Sequence, residues 1–166
     1  MAVDLDLING SAISPALALL PARMDAPEAR VMLLAIGLQE SRFLHRRQIG
    51  GPARGFWQFE KGGGVRGVLT RPVSRNEASR ICRVRNVVPM AAAVYEALDK
   101  DDVLAAAFAR LLLWTDAGRL PAINDAQGAW DLYLRTWRPG KPHPQTWHSL
   151  HAQSVAVVGG QDARVA

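Results

Sequence analysis

Cysteine is almost absent from this sequence: Cys82 is the only one among 166 residues. A single cysteine excludes an intramolecular disulfide and a zinc site built from several thiolates. Long hydrophobic runs are missing as well, since the longest ones, Val31–Leu38 and Val87–Val94, fall far short of the ~20 residues that a membrane-spanning helix needs. We therefore expect Cys82 to pack in a core and the chain to have no membrane span.

The alternation of apolar and polar residues that marks β-strands is scarce, and helical periodicity prevails along the chain. With 49% hydrophobic and 21% charged residues, the composition is that of a globular protein rather than a disordered one. The length suits one domain. We predict a single compact all-α domain at residues 1–154, followed by a flexible C-terminal tail at residues 155–166.

Start and stop signals divide this domain into helices. Pro27 at a first helical position, with Glu28 in the first turn, predicts a helix that runs to about Phe43. Ser74 with Glu77 matches a capping box and predicts a helix to about residue 85. Further helices are predicted at residues 15–20, 90–98, 103–114 and 126–137, and the last two have an Asp or Asn in position to cap them.

Positive charge is in excess, because 20 Lys and Arg face 15 Asp and Glu, which gives a net charge of +5. This balance favours an anionic partner such as nucleic acid, anionic lipid or the bacterial cell wall. The arginines are scattered, so solubility alone explains the charge equally well, and a basic nucleic-acid-binding helical protein is an alternative. Asp4 and Asp6 stand where a signal peptide would carry Lys or Arg, so no signal peptide is expected.

Glu40 lies near the C-terminal end of the helix that begins at Pro27. Apolar residues occupy every side of this helix, so it is expected to run through the middle of the domain. Burial and the helix dipole both disfavour a negative charge at its end and raise the pKa of the Glu40 carboxyl group. A carboxyl group protonated near neutral pH is suited to donate a proton to a leaving oxygen. The alternative is a surface ion pair of Glu40 with Arg42, Arg46 or Arg47.

Two short motifs follow one another here, Glu-Ser-Arg-Phe at residues 40–43 and Gly-Phe-Trp-Gln at residues 55–58. Their order and interval resemble the catalytic stretch of the lytic transglycosylases and goose-type lysozymes of the lysozyme-like superfamily, which reads Glu-Ser-x-Phe and then Gly-Leu-Met-Gln. The resemblance covers residues 36–59. It implies a lysozyme-like domain with a glycan groove that cleaves bacterial peptidoglycan without cofactor or metal, as a monomer and without a nucleic-acid partner.

The resemblance also implies roles for individual residues. Glu40 corresponds to the family's single catalytic glutamate, and Ser41 to the serine beside it, which positions the acid or the sugar. Gln58 corresponds to a glutamine that lines the groove. Phe56 and Trp57 replace Leu-Met and are expected to form an aromatic wall on which sugar rings stack.

Other family motifs are weaker in this chain. Thr-Asp-Ala-Gly at residues 115–118 stands where the family has Tyr-Asn-Ala-Gly, which makes Asp116 a candidate groove residue. The resemblance also implies that Tyr133 is the tyrosine that hydrogen-bonds the catalytic glutamate in this family. The divergence resembles phage-encoded members, so the protein is expected to be made in the cytoplasm and to act on the wall after release or as a virion component. A non-catalytic lysozyme-like component that binds the wall is an alternative.

The type of cleavage depends on a second carboxylate, for which Glu60 and Asp116 are the nearby candidates. Neither occupies a family motif position as a carboxylate, so the expected route is that of a lytic transglycosylase. In this route the N-acetyl group of the muramoyl sugar attacks the anomeric carbon, and its 6-hydroxyl then closes a 1,6-anhydro ring. Entry of water instead gives lysozyme-type hydrolysis.

Aromatic and histidine residues near the C-terminus have structural explanations. Trp130, Tyr133 and Trp137 have helical spacing and are expected in the core, whereas Trp147 in a Pro-rich segment is expected to be more exposed. His148 and His151 can share a helix face. A zinc site there is an alternative to surface polarity, although no carboxylate or cysteine joins them.

Overall fold

Helices form the fold of residues 2–165, the part of the chain that this computed structural model describes. In chain order they are α1 Leu5–Ile8, α2 Ser14–Leu19, α3 Pro27–Ser41, α4 Arg66–Thr70, α5 Arg75–Val84, α6 Ala91–Ala97, α7 Asp102–Trp114, α8 Ala126–Trp137 and α9 Pro144–Val165. A π-helical stretch, Asn9–Ile13, joins α1 to α2, and the segment Lys61–Val65, which is kinked at the non-helical Gly63, leads into α4. The predicted all-α class is confirmed, since the described residues form isolated β-bridges but no strand.

Helix α3 is the centre of the domain. Every residue from Val31 to Leu38 is buried, and α3 packs most extensively against α9, with α7 on another side. Each fully buried Leu or Ile side chain in this segment contributes about 1.5–3 kcal/mol to the free energy of unfolding. The prediction that this segment is among the most buried of the chain is confirmed.

Helix α3 ends at Ser41, whereas the sequence had predicted that it would run to about Phe43. Arg42 and Phe43 adopt left-handed backbone conformations, with φ of 57° and 54°, which turn the chain back over the helix. The Phe43 ring then lies directly above Gly37, where a Cβ atom would stand 2.1 Å from the ring Cζ. The missing side chain of Gly37 therefore makes room for the turn that follows Glu40.

The helix caps agree with the sequence at two places and differ at a third. Asp101 caps α7 and Asp125 caps α8, each by accepting a backbone N–H bond in the first turn. The capping box predicted at Ser74 and Glu77 does not form. Ser74 is buried, and its hydroxyl donates to the carbonyl of Val68 at 2.7 Å, which ties α4 to α5. A buried hydroxyl takes the acceptor within reach because an unpaired one is costly.

The C-terminal segment differs from the loose tail expected from residue 155, because α9 continues to Val165. Val158 is buried in the core. The Gln161 side chain accepts a hydrogen bond from Asn9 Nδ2 at 2.6 Å and donates to Asp6 Oδ1 at 3.2 Å. The paired glycines at residues 159–160 hid this helical pattern in the sequence, since glycine is a poor helix former.

The expected burial of Cys82 is confirmed. Cys82 is buried in the core, and burial raises the pKa of its thiol to about 11. Among the helices of residues 2–165, none combines the length and the apolar character required to cross a bilayer.

Candidate functional site

A groove of about 1150 Å³ opens beside the C-terminal end of α3. One side is formed by the loop after α3 and by the Gly-rich segment at residues 62–64 that leads into α4. The other side is formed by the C-terminal part of α8 and the loop to α9. The lining includes Gln39, Glu40, Gln58, Phe59, Glu60, Tyr133, Thr136 and Trp137.

Glu40 is half-buried in this groove and bonded to Tyr133, as the sequence had predicted. The Tyr133 hydroxyl donates to Glu40 Oε1 at 2.5 Å. Burial raises the pKa of Glu40 from 4.5 to about 7, and the hydrogen bond from Tyr133 opposes this rise only in part. Near neutral pH the carboxyl group is therefore populated in both protonation states, so it can donate a proton and accept one.

The competing interpretation, a surface ion pair of Glu40 with a nearby arginine, does not hold. The guanidinium of Arg46 pairs with Asp102, at 2.8 Å and 2.9 Å, and that of Arg47 pairs with Asp99. The Arg42 guanidinium donates to the carbonyl of Leu38 at 2.9 Å. All three cations are engaged elsewhere, which leaves the Glu40 carboxyl group to Tyr133 and the groove.

The side chain of Tyr133 is fixed by aromatic packing. Its ring stacks on Trp147 with centroids 5.4 Å apart and planes 8° apart, and it also contacts Trp130. Trp147 is only 1% exposed, and its indole N–H donates to the carbonyl of Ala126. Its expected exposure is therefore wrong, because α9 begins at Pro144 and its first turn packs Trp147 against α8. Burial and the nearby Glu40 raise the pKa of Tyr133, so its hydroxyl stays a donor.

The aromatic wall expected from Phe56 and Trp57 does not line the groove. Phe56 is 3% and Trp57 0% exposed, and the Trp57 indole N–H donates to the carbonyl of Leu33 in α3 at 2.8 Å. Both rings meet Phe43 edge to face, with centroids 5.4 Å and 5.6 Å away. These aromatic residues anchor the loop onto α3, because the burial of their large apolar surfaces is more favourable in free energy than their exposure to solvent.

Ser41 likewise holds the backbone rather than facing the groove. It is 6% exposed, its hydroxyl donates to the carbonyl of Phe56 at 2.7 Å, and its Oγ accepts the backbone N–H of Phe43 at 3.1 Å. Ser41 thus joins the two sequence motifs to each other. It fixes the position of Glu40 indirectly, through the turn that follows α3.

Gln58 is the member of the second motif that reaches the groove. It has a left-handed conformation with φ of 52°, and its side-chain amide donates to the carbonyl of Gly55 at 2.8 Å. Gly55 itself has φ of 75°, and a Cβ there would stand 3.0 Å from the carbonyl oxygen of Leu98. This tight turn presents Gln58 to the groove, and the exposed Glu60 lines the groove beside it.

Asp116 is not a residue of this groove. It lines a smaller adjoining depression of about 420 Å³, where its carboxylate pairs with Arg135 at 3.1 Å. That hydrogen bond lowers the pKa of Asp116. Of the two candidate second carboxylates, only Glu60 shares the groove with Glu40.

The sequence missed several groove residues. Trp137, expected in the core, is half-buried and lines the groove, where its indole N–H donates to the carbonyl of Trp57 at 2.9 Å. Its spacing of four residues from Tyr133 places both on one helix face, and this signal was available in the sequence. Four cations, two at α4 and two in the loop after α8, carried no such signal: Arg66, Arg71, Arg138 and Lys141.

Within residues 2–165 no group of three or more His, Cys, Asp or Glu side chains is arranged to hold a metal ion, so the zinc alternative at His148 and His151 finds no ligand set there. His151 is buried beside Trp147, and burial lowers its pKa. It has the surroundings of a core histidine.

Comparison of the chain with protein-family models, with curated proteins and with solved structures finds no significant match.

Proposed function

We propose that this protein cleaves the β-1,4 bond between N-acetylmuramic acid and N-acetylglucosamine in peptidoglycan, as a lytic transglycosylase with Glu40 as acid and base. The observation that carries the proposal is the Glu40 carboxyl group itself. It is half-buried in an open groove, bonded to Tyr133, and its pKa is raised to about 7. The resemblance of residues 36–59 to the catalytic stretch of these enzymes supplies the substrate.

One carboxyl group suffices for the proposed reaction. Protonated Glu40 gives its proton to the glycosidic oxygen as the bond to the anomeric carbon breaks, and the N-acetyl oxygen of the muramoyl sugar attacks that carbon. The Glu40 carboxylate then removes the proton of the 6-hydroxyl group. The 6-oxygen displaces the N-acetyl oxygen to form the 1,6-anhydro ring, and Glu40 returns to its protonated state.

The size and lining of the groove support the proposal of an oligosaccharide substrate. The groove volume of about 1150 Å³ exceeds the ~300–1,000 Å³ that is usual for small-molecule pockets. Trp137 offers a half-buried aromatic surface on which a sugar ring can stack, and Gln58 and Thr136 offer polar groups for its hydroxyls. These residues flank Glu40 on both sides of the groove.

Lysozyme-type hydrolysis is a second candidate, favoured by Glu60. This exposed carboxylate lines the same groove as Glu40 and has the chemistry of a base that activates water. Under hydrolysis Glu60→Gln removes that base and lowers the rate strongly. Under transglycosylation the same change has little effect, because no water is activated.

Solubilisation of purified peptidoglycan tests the proposal. We expect Glu40→Gln, which keeps the size and polarity of the side chain but cannot deliver the proton, to lower the rate about a hundredfold or more. Glu28→Gln is the matched control, since it makes the same change in the first turn of α3, and it should retain the rate of the wild type. A wild-type protein that releases nothing, or a Glu40→Gln variant as active as the wild type, would refute the assignment.

A further inference from the structure

The smaller depression of about 420 Å³ adjoins the groove. Arg71, Thr136 and Arg138 line both of them, so a ligand in the groove can extend past these three residues into the depression. Asp116 and Arg135 belong to the depression alone. Its position therefore makes it a side extension of the groove that contains Glu40.

The charge of this depression is unbalanced. Its lining contains three arginines against one acidic residue, Asp116. Arg135 already pairs with Asp116 at 3.1 Å, and this pairing lowers the pKa of Asp116, which stays ionised at neutral pH. Arg71 and Arg138 are left without a carboxylate, and within residues 2–165 neither forms a salt bridge. The depression thus keeps two uncompensated guanidinium groups.

The two arginines reach this place from separate parts of the fold. Arg71 directly follows the last residue of α4. Arg138 directly follows the last residue of α8 and has a left-handed conformation with φ of 51°. The Arg138 side chain donates to the carbonyl of Arg135 at 3.4 Å. Several other arginines pair with carboxylates, as Arg85 does with Asp101 at 2.8 Å, and Arg75 and Arg83, which are unpaired within the described residues, are exposed away from the groove. Two unpaired arginines brought together beside a groove point to an anionic ligand.

We infer that the depression lined by Arg71 and Arg138 is a subsite for an anionic substituent of the glycan strand, either a carboxylate of the peptide stem or a phosphate group. The inference rests on the proposed function. A chitin-type chain of N-acetylglucosamine is neutral, whereas carboxylates and phosphates are the groups that guanidinium binds with two parallel hydrogen bonds. The subsite makes the enzyme favour substituted wall glycan over unsubstituted chitin-type chains.

Equilibrium binding by the full chain carrying Glu40→Gln tests the subsite, since this background leaves the glycan intact. Four ligands are compared: neutral chitohexaose, a glycan fragment with peptide stems, the same fragment with its carboxylates converted to methylamides, and a methylamidated fragment that carries phosphodiesters. The test variant is Arg71→Gln with Arg138→Gln. Its matched control, Arg75→Gln with Arg83→Gln, removes the same charge from two exposed arginines of α5 that line neither depression.

We expect the test variant to bind an anionic fragment about tenfold more weakly than its parent, equivalent to about 1.4 kcal/mol, and to bind chitohexaose unchanged. A loss confined to the stem fragment assigns the carboxylates, and one confined to the phosphodiester fragment assigns the phosphate. In both cases the control variant should match the parent, and replacement of the two arginines by lysine should restore part of the affinity.

Other outcomes overturn the inference. An equal loss for chitohexaose makes the arginines part of the sugar-binding surface or of the fold, and no loss for any anionic fragment means that the subsite does not exist. An equal loss in the control variant assigns the effect to overall charge. If the parent binds none of the four ligands, the proposed function fails as well, and this result is distinct from the other three.

Discussion

The Tyr133 hydroxyl lies 2.5 Å from Oε1 of Glu40 and joins the middle of α8 to the end of α3. Burial of the carboxyl group and its hydrogen bond to Tyr133 shift the pKa of Glu40 in opposite directions. Burial at the end of α3 raises the pKa of Glu40 to about 7, while the hydrogen bond from α8 lowers it. The acid strength of Glu40 therefore depends on its burial and on the hydrogen bond from Tyr133.

Replacement of Tyr133 by Phe removes the hydrogen bond and keeps the ring that stacks on Trp147. Because this bond lowers the pKa of Glu40, its loss should raise that pKa. In the wild type we expect kcat/KM for peptidoglycan cleavage to fall as pH rises above about 7, where the proton of Glu40 is lost. In Tyr133→Phe this alkaline limb should move to higher pH, and a shift to lower pH would contradict the role given to Tyr133.

The pH dependence of stability supplies a measurement that needs no substrate. Since the pKa of Glu40 is raised from 4.5 to about 7 by folding, the folded state holds the proton more tightly than the unfolded state. Its contribution to the free energy of unfolding is therefore present below about pH 4.5 and is lost as the pH rises to about 7.

Glu40→Gln carries no titrating group at this position, so the fall in stability that is due to Glu40 should be absent from this variant. Relative to the wild type, it should gain up to about 3 kcal/mol between pH 4.5 and pH 8, an upper limit set by the size of the pKa shift. Chemical denaturation of both proteins at a series of pH values measures this difference. Parallel curves for the two proteins would mean that the Glu40 pKa is ordinary.

Substitution of Trp57 should lower mainly the stability of the protein, and substitution of Trp137 should weaken mainly the binding of sugar. Trp57 is fully buried, so Trp57→Ala should lower the free energy of unfolding by about 3–5 kcal/mol. Trp137 lines the groove, so Trp137→Ala should weaken chitohexaose binding by about 1–2 kcal/mol. Thermal melts measure the effect on stability. Calorimetric titration with chitohexaose, carried out below the melting temperature of each variant, measures the effect on binding. Weaker binding by Trp57→Ala with an unchanged melting temperature would return Trp57 to the groove wall.

The turn after α3 depends on Gly37. A Cβ atom there would lie 2.1 Å from Cζ of Phe43, whose ring is packed against Phe56 and Trp57 and has little room to move. We expect Gly37→Ala to lower the free energy of unfolding by about 1–3 kcal/mol through overpacking. Gly10→Ala, where no atom lies within 4 Å of the added Cβ, should have little effect. Equal melting temperatures for both variants would contradict this packing.

The sequence predicted the features that depend on local pattern. Continuous apolar residues predicted α3 to be a buried helix, and the family resemblance led to the expected hydrogen bond between Tyr133 and Glu40. The direction of the Glu40 pKa shift also followed, because burial at the end of a helix raises the pKa of a carboxyl group whichever helices enclose it.

Features that depend on tertiary contacts could not be predicted in the same way. Phe56 and Trp57 have the chemistry of a sugar-binding wall, and only the turn of the chain back over Gly37 shows that they face α3. Arg71 and Arg138 lie far apart in the sequence. They line the same depression only because the ends of α4 and α8 both lie beside the groove. Such convergence leaves no periodic signal along the chain.

Digestion of purified peptidoglycan in water enriched in oxygen-18, with mass spectrometry of the soluble fragments, is the most direct test of Glu40 as the acid and base of glycan cleavage. We expect 1,6-anhydro ends, one water lighter than hydrolytic ends and free of the isotope, and we expect them to disappear in Glu40→Gln. Labelled hydrolytic ends would replace transglycosylation by hydrolysis and make Glu60 the candidate base. Fragments released equally by Glu40→Gln, or none released by the wild type, would contradict the central claim.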